Sequence, residues 1–301
     1  MQLVENIKKL QKEKNAVILA HNYQIPEVQD IADYVGDSLG LSIKASKTEA
    51  DVIVFCGVHF MAETAKILSP RKRVLLPDRD SSCPLSDMIN ADQLRKLKAI
   101  HPRAKVLCYV NTSAEVKAEC DICCTSTNAA KIAREAFSED EEVIFVPDKY
   151  LAHYVSAQAG REFISWKGFC PTHARILPEM ILEQKRLHPD AKIIVHPENR
   201  PEVIALADRV LSTGGMSNFV KDDDAQEFIV GTEIGILHRL KKENPTKTFY
   251  GVSDVAVCPN MKRTTLEKVL WSLEEMTFEI EVPPEISVRA SHSIRRMLDF
   301  S

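Results

Sequence analysis

The chain has 301 residues, 45% of them apolar and 27% charged, with a net charge of −4. This is an ordinary globular composition, with no electrostatic footprint for nucleic acid or an anionic membrane. The longest mostly apolar run, residues 52–62, is broken by His59 and far too short to span a bilayer. The amino terminus, MQLVENIKKLQKEKN, reads as an amphipathic helix without the apolar centre of a signal peptide. A cytoplasmic location is therefore expected, where cysteines stay reduced. Short runs rich in valine and isoleucine then predict strands at 17–20, 52–55 and 74–76, at 106–109, 143–146 and 162–165, and at 193–196, 228–230 and 248–251. Helical periodicity fills the intervals, as in PEVIALADRVL, and the tail after Pro284, ISVRASHSIRRML, reads as a surface helix with a solvated basic face. Strand–helix alternation implies an α/β fold with parallel sheets.

The chain is written three times. His21, Tyr109 and His196 are 88 and 87 residues apart, and the same offsets align AHNYQIPEVQDIADYVGDS, CYVNTSAEVKAECDICCTS and VHPENRPEVIALADRVLST. Glu27, Glu115 and Glu202 share a column, as do Val28, Val116 and Val203, and Asp33, Asp121 and Asp208. The expected architecture is three homologous αβα units related by pseudo-threefold symmetry: 1–86, 87–173, and 174–301 with a helical tail. Each unit is too small to bury much surface alone, so the three are expected to pack into one body.

Of eight cysteines, Cys83, Cys170 and Cys258 precede proline and lie 87 and 88 residues apart. Proline suits the first position of a helix, and helical patterns follow in LSDMINADQLRKLKAI, THARILPEMILEQKRL and NMKRTTLEKVLWSL. Each cysteine is thus expected at a helix amino terminus, where partial positive charge favours a thiolate. Three convergent thiolates read as a metal site. Structural zinc usually takes four ligands, often in close C-x2-C pairs; a [4Fe–4S] cluster on three cysteines leaves one iron open to substrate as a Lewis acid. Buried cysteines made alike by duplication are the bland alternative. For the other five cysteines that bland reading is preferred: the columns of Cys120 and Cys123 hold Ala32 and Ala207, and Val35 and Val210, which read as core positions of a helix.

The first strands end in His21 and Tyr23, Tyr109 and Asn111, and His196 and Glu198. Residues two apart on a strand face one side, and ligands of open parallel sheets bind beyond the carboxyl ends of the strands. Six hydrogen-bonding or proton-moving groups are thus expected in one cavity. Ser38, Ser126 and Thr213 form a hydroxyl column 17 residues after the first member of each pair. Each precedes a helical stretch and suits an N-cap or an anion contact.

Taken together, AHNYQ at 20–24, SSCPLSDM at 81–88, YVNTSAEVKAECDICCTS at 109–126, GFCPTH at 168–173, HPEN at 196–199 and the late cysteine-proline resemble the quinolinate synthase family, in order and along essentially the whole chain. The resemblance implies three αβα units around a [4Fe–4S] cluster. It implies condensation of iminoaspartate (iminosuccinate) with dihydroxyacetone phosphate to quinolinate, phosphate and water, for de novo NAD biosynthesis. Carried over by motif, Cys83, Cys170 and Cys258 match the cluster ligands. Tyr23 matches a proton shuttle beside His21, and Glu198 a base beside His196. Tyr109, Asn111, Ser126 and Thr213 match carboxylate contacts, Ser38 another polar contact, and His173 lies in the C-P-T-H motif. Some members extend the last cysteine into C-x2-C-x2-C; here Cys258 is followed by Pro259, Asn260 and Met261. A transient link to the enzyme that makes iminoaspartate fits this picture, with no nucleic-acid or membrane partner. The competing readings are another [4Fe–4S] hydro-lyase, a non-catalytic iron–sulfur sensor, and a zinc-stabilised binding protein.

Overall fold

The strands come in three sets. They are β1 (Ala16–His21), β2 (Tyr34–Gly36), β3 (Val52–Cys56) and β4 (Arg73–Leu75); then β5 (Lys105–Tyr109), β6 (Ile122–Cys124), β7 (Val143–Val146) and β8 (Ile164–Ser165); then β9 (Lys192–Val195), β10 (Arg209–Val210), β11 (Glu227–Gly231) and β12 (Thr248–Gly251). The computed structural model describes residues 2–300, and in it each set forms one four-stranded sheet. The orders are β2-β1-β3-β4, β6-β5-β7-β8 and β10-β9-β11-β12, and all these pairings are parallel. The three αβα units expected from the repeat are present. In each, the chain reverses direction between its first and third strands, the switch point at which α/β sheets bind ligands.

The nine expected strands appear within a residue or two at most ends. The second strand of each set was not expected. Val35, Cys123 and Val210, read above as helical core, pair as strand residues with Ala20, Cys108 and Val195. The helices ahead of them are only Pro26–Ile31, Ala114–Lys117 and Pro201–Ile204.

The aspartate column explains why these helices stop. Asp33, Asp121 and Asp208 each accept the N–H of Ile18, Val106 and Ile193 at 2.7 Å. Each also returns its own N–H to the carbonyl of that same residue. The clasp pulls the chain out of helix and lays it against the first strand. Asp121→Ala is expected to destabilise the fold by about 1–2 kcal/mol, the value of a partly exposed hydrogen bond to a charged acceptor. A lowered urea midpoint reads this out; an unchanged midpoint would mean that the clasp contributes nothing. The other columns are structural too: Glu27, Glu115 and Glu202 stand in first helical turns, where acids suit the dipole, and Val28, Val116 and Val203 are fully buried.

The carboxyl-terminal tail leaves the third sheet to complete the other two. The helix Leu266–Glu275 packs against the amino-terminal helix Gln2–Glu13 and buries Val269 and Leu273 on the outer face of the first sheet. Residues 278–280 then run antiparallel to β4, through Leu76 N to Phe278 O at 2.9 Å and Ile280 N to Val74 O at 2.8 Å. The last helix, Pro284–Leu298, buries Ala290, Ser293, Ile294 and Met297 on the second unit. Its basic face is only partly solvated: Arg289 pairs with Glu119 at 2.7 Å, and Arg296 donates to the Asp121 carbonyl at 2.8 Å. No helix among the described residues is long and apolar enough to cross a membrane.

Candidate active site

One cavity takes lining residues from all three units, and every residue named above as a site candidate is on its wall. His21 and Tyr23 come from the end of β1, Tyr109 and Asn111 from β5, and His196 and Glu198 from β9. Ser38, Ser126 and Thr213 line it, as do Cys83, Cys170 and Cys258, with His173 beside them. Phe60, Met61 and Met261 supply apolar wall.

The hydroxyl column does not cap. Asp37 and Ser212, one residue earlier, are the N-caps, and their side chains accept the N–H groups of Gly40 and Gly215. In the second unit the helix starts later, at Ala129, and Asn128 before it makes no side-chain cap bond; its Oδ1 accepts the Thr125 N–H at 2.8 Å instead. Ser38 and Thr213 are instead the first helical residues, whose own N–H groups the helix leaves unpaired. The caps also join the units, since Thr127 Oγ1 lies 2.9 Å from Asp37 Oδ2 and 2.8 Å from Ser212 Oγ.

The two strand-end histidines share one geometry. His21 Nδ1 accepts the Tyr23 N–H at 3.2 Å, and His196 Nδ1 accepts the Glu198 N–H at 3.3 Å. A ring nitrogen that accepts carries no proton, so each neutral ring holds its hydrogen on Nε2. Burial pushes the pKa of His21 down to about 4, against opposing pulls from Asp37 and Glu198, and that of His196 to about 3, against Glu198. Both are therefore neutral donors at physiological pH. Their folded pKa values lie below the unfolded one, so the unfolded chain binds more protons as pH falls. Stability is expected to be lost from about pH 6.5 down toward pH 4, by several kcal/mol in all. Thermal midpoints of the wild type and His196→Asn across that window test this. The variant should show the shallower decline, and parallel curves would overturn the assignment.

Glu198 is buried at the centre. The Tyr109 hydroxyl donates to its Oε1, and His173 Nδ1 lies 2.8 Å from its Oε2, off line for a hydrogen bond. Burial alone would raise the carboxyl, but His173, His196 and Tyr109 outweigh it and hold Glu198 below the ordinary carboxylate range. The Tyr23 hydroxyl lies 2.6 Å from Thr232 Oγ1 and 3.4 Å from His173 Nε2, which is itself 2.8 Å from Thr232 Oγ1. Burial and the Glu198 charge push both Tyr23 and Tyr109 well above the usual phenol range. One ionised carboxylate thus faces two firmly protonated phenols. Asn111 Oδ1 is buried on the same wall without a partner among the described residues.

The cysteine-proline motif starts a turn rather than a long helix. Cys170 is the N-cap of the four-residue helix Pro171–Ala174. Cys83 leads through Pro84 to the short helical turn Ser86–Met88, and Cys258 leads into a turn closed by Lys262 N to Pro259 O at 3.2 Å. The long helices Ala91–Ile100, Pro178–Leu187 and Leu266–Glu275 come later. Proline removes one N–H, and the next turn's N–H groups point back at sulfur: Leu85 and Ser86 at Cys83, His173 at Cys170, Asn260 and Met261 at Cys258. These bonds do not lower the thiols as expected. Burial dominates, pushes Cys83 up to about 12 and raises the other two; neighbouring sulfurs add to it at Cys83 and Cys170, and Glu233 at Cys258.

Among the described residues, Cys170, His173 and Glu198 place donor atoms within 4.8 Å of one another, a set that leaves out Cys83 and Cys258. Thiolates sharing one zinc ion sit about 3.8 Å apart, from Zn–S bonds near 2.3 Å in a tetrahedron. The three cysteines are not gathered that tightly, yet they influence one another across one cavity and carry N–H donors for anionic sulfur. That donor set fits a group larger than a single ion.

A family model described as "Quinolinate synthetase A protein" matches residues 5–299. The chain belongs to the quinolinate synthase family. Proteins named quinolinate synthase from Dehalococcoides mccartyi (strain CBDB1) and Methanosarcina barkeri (strain Fusaro) are 57% and 54% identical to it. These matches cover 97% and 99% of this chain and 96% and 97% of theirs. One from Geobacter sp. (strain M21) is 52% identical over 98% of this chain and 97% of its own. Enzymes of this family are thus matched along their whole length.

Two acids on the site escaped the sequence reading. Asp148 Oδ2 and Glu233 Oε1 accept the N–H groups of Cys170 and Cys258, each at 3.1 Å. Both stand two residues beyond the third strand of their unit, where the first unit has Val58. The signal is in the repeat: both acids sit at the ends of the third strands as the polar pairs sit at the ends of the first.

Proposed function

We propose that this chain condenses iminoaspartate with dihydroxyacetone phosphate, releasing phosphate and water and forming quinolinate for NAD biosynthesis. In this reading Cys83, Cys170 and Cys258 hold a [4Fe–4S] cluster, which when bound supplies an open iron as a Lewis acid for a departing hydroxyl. The observation that carries the reading is the convergence, in one cavity, of three cysteine-proline turns, three strand-end pairs and the three hydroxyls of Ser38, Ser126 and Thr213.

The protein's own groups support the remaining chemistry. A dicarboxylate and a phosphate ester need several anion contacts, which Ser38, Ser126, Thr213 and the neutral Nε2–H donors of His21 and His196 supply. Moving protons during isomerisation and ring closure needs an acid and a base held in opposite states. Glu198 is the ionised member and Tyr23 the protonated one, with His173 standing between them. The apolar wall limits water around a hydrolysable imine.

Anaerobic incubation of purified protein with dihydroxyacetone phosphate and freshly made iminoaspartate is expected to yield the pyridine dicarboxylate. The same protein is expected to be brown, with about four irons per chain. Stoichiometric zinc without iron would overturn the cluster, and iron-loaded protein that forms no product would overturn the condensation.

A further inference from the structure

The residue between the two members of the first strand-end pair is Asn22, in a column that holds Val110 and Pro197 in the other units. An amide stands only where β1 reaches across to the third unit. Asn22 is fully buried. Its Oδ1 accepts from Arg239 Nη1 at 2.8 Å, and its Nδ2 donates to Thr213 Oγ1 at 2.9 Å. Arg239 is itself held by Glu243, whose Oε1 accepts from Nε at 2.8 Å.

Donor and acceptor bookkeeping then turns the Thr213 proton away from Asn22. A guanidinium only donates, so the Asn22 atom facing Arg239 must be oxygen and the atom facing Thr213 must be the NH2 group. The Thr213 oxygen is therefore an acceptor on that side. No acceptor among the described residues takes its hydroxyl hydrogen, and the side chain lines the cavity. Thr213 also opens its helix, so its backbone N–H belongs to the unpaired first turn.

We propose that Arg239 and Asn22 form a positioning relay that fixes Thr213 as a hydroxyl donor toward a substrate carboxylate, making Asn22 a specificity residue for an acceptor-only ligand group. The relay deepens the function proposed above and rests on Thr213 meeting that carboxylate. A ligand group that donates there can reach only the second lone pair and leaves the hydroxyl hydrogen, a buried donor, without an acceptor.

The test uses cluster-loaded protein and pyridine-2,3-dicarboxylate as the probe, with affinity read by calorimetry. In Asn22→Asp one carboxylate oxygen keeps Arg239 while the other accepts the Thr213 hydroxyl hydrogen, withdrawing it from the cavity. The Kd is expected to rise roughly tenfold to a hundredfold, with visible absorption and thermal midpoint unchanged. Thr213→Val should lose a similar factor. Adding Asn22→Asp to Thr213→Val should cost several-fold less than it costs the wild type, because no hydroxyl remains to be turned. Equal costs in both backgrounds would show plain charge repulsion or distortion and overturn the relay alone. Wild-type affinity in Thr213→Val would overturn the carboxylate contact, and the relay with it.

Discussion

Glu198→Gln is expected to cut quinolinate formation by roughly 100- to 10,000-fold, the usual share of a positioned acid–base group, with iron content and thermal midpoint near those of the wild type. Glutamine fills the same space, so the packing against His173 and Tyr109 survives. What it removes is the one charge on which the neighbouring polarities depend. The carboxylate accepts from Tyr109, faces His173 Nδ1 at 2.8 Å, and helps hold both phenols protonated. With an amide in its place, the carboxylate that could receive a proton beside Tyr109 and His173 is gone. Tyr23→Phe is the partner experiment. It deletes the hydroxyl that lies 2.6 Å from Thr232 and should give a loss of the same order while leaving the colour. The two losses should combine to less than their product, because both residues act on one reaction in one cavity. Near-normal turnover in both variants would remove them from the chemistry.

The site was legible from the sequence because duplication presents each functional position three times. A lone His21 or Ser126 carries no signal, but three strand ends with paired polar groups in register do. The resemblance then attached roles to positions that the columns had already marked. What stayed hidden has local physical causes. The edge strands holding Val35, Cys123 and Val210 are two or three residues long and follow a helical turn, so their apolar spacing reads as helix. The signal that breaks the helix is a side chain, Asp33, Asp121 or Asp208, bonding to a strand fifteen residues back. The capping error at Ser38 and Thr213 is a shift of one residue, since Asp37 and Ser212 compete for the cap and win it. The thiol prediction failed for a different reason. A turn's N–H groups were weighed against water, whereas the sulfurs sit in a cavity where burial outweighs those bonds. Asn22 could not be found by columns, because its unit alone has it.

Cys83→Ser, Cys170→Ser and Cys258→Ser should each yield folded, colourless protein that retains little iron and makes no quinolinate, and the three should fail alike. The reason lies in how each sulfur is held. Every one is partly covered, comes from a different unit, and receives N–H groups from its own proline-led turn. Asp148 and Glu233 fasten two of those turns by accepting the cysteine N–H, at 3.1 Å in both cases. The three turns each present one sulfur to the same cavity, and serine is a much poorer ligand for iron than thiolate. Cys120→Ser and Cys123→Ser are the controls. Those thiols are buried beside Cys108, where Cys120 donates to the Val116 carbonyl at 3.0 Å and Cys123 to Ser293 at 3.4 Å, away from the cavity wall. Their replacement should cost some stability and leave iron per chain unchanged. Full iron in any one of the first three variants, or its loss in both controls, would show that the metal is held by a different set of sulfurs from the three that the repeats bring together.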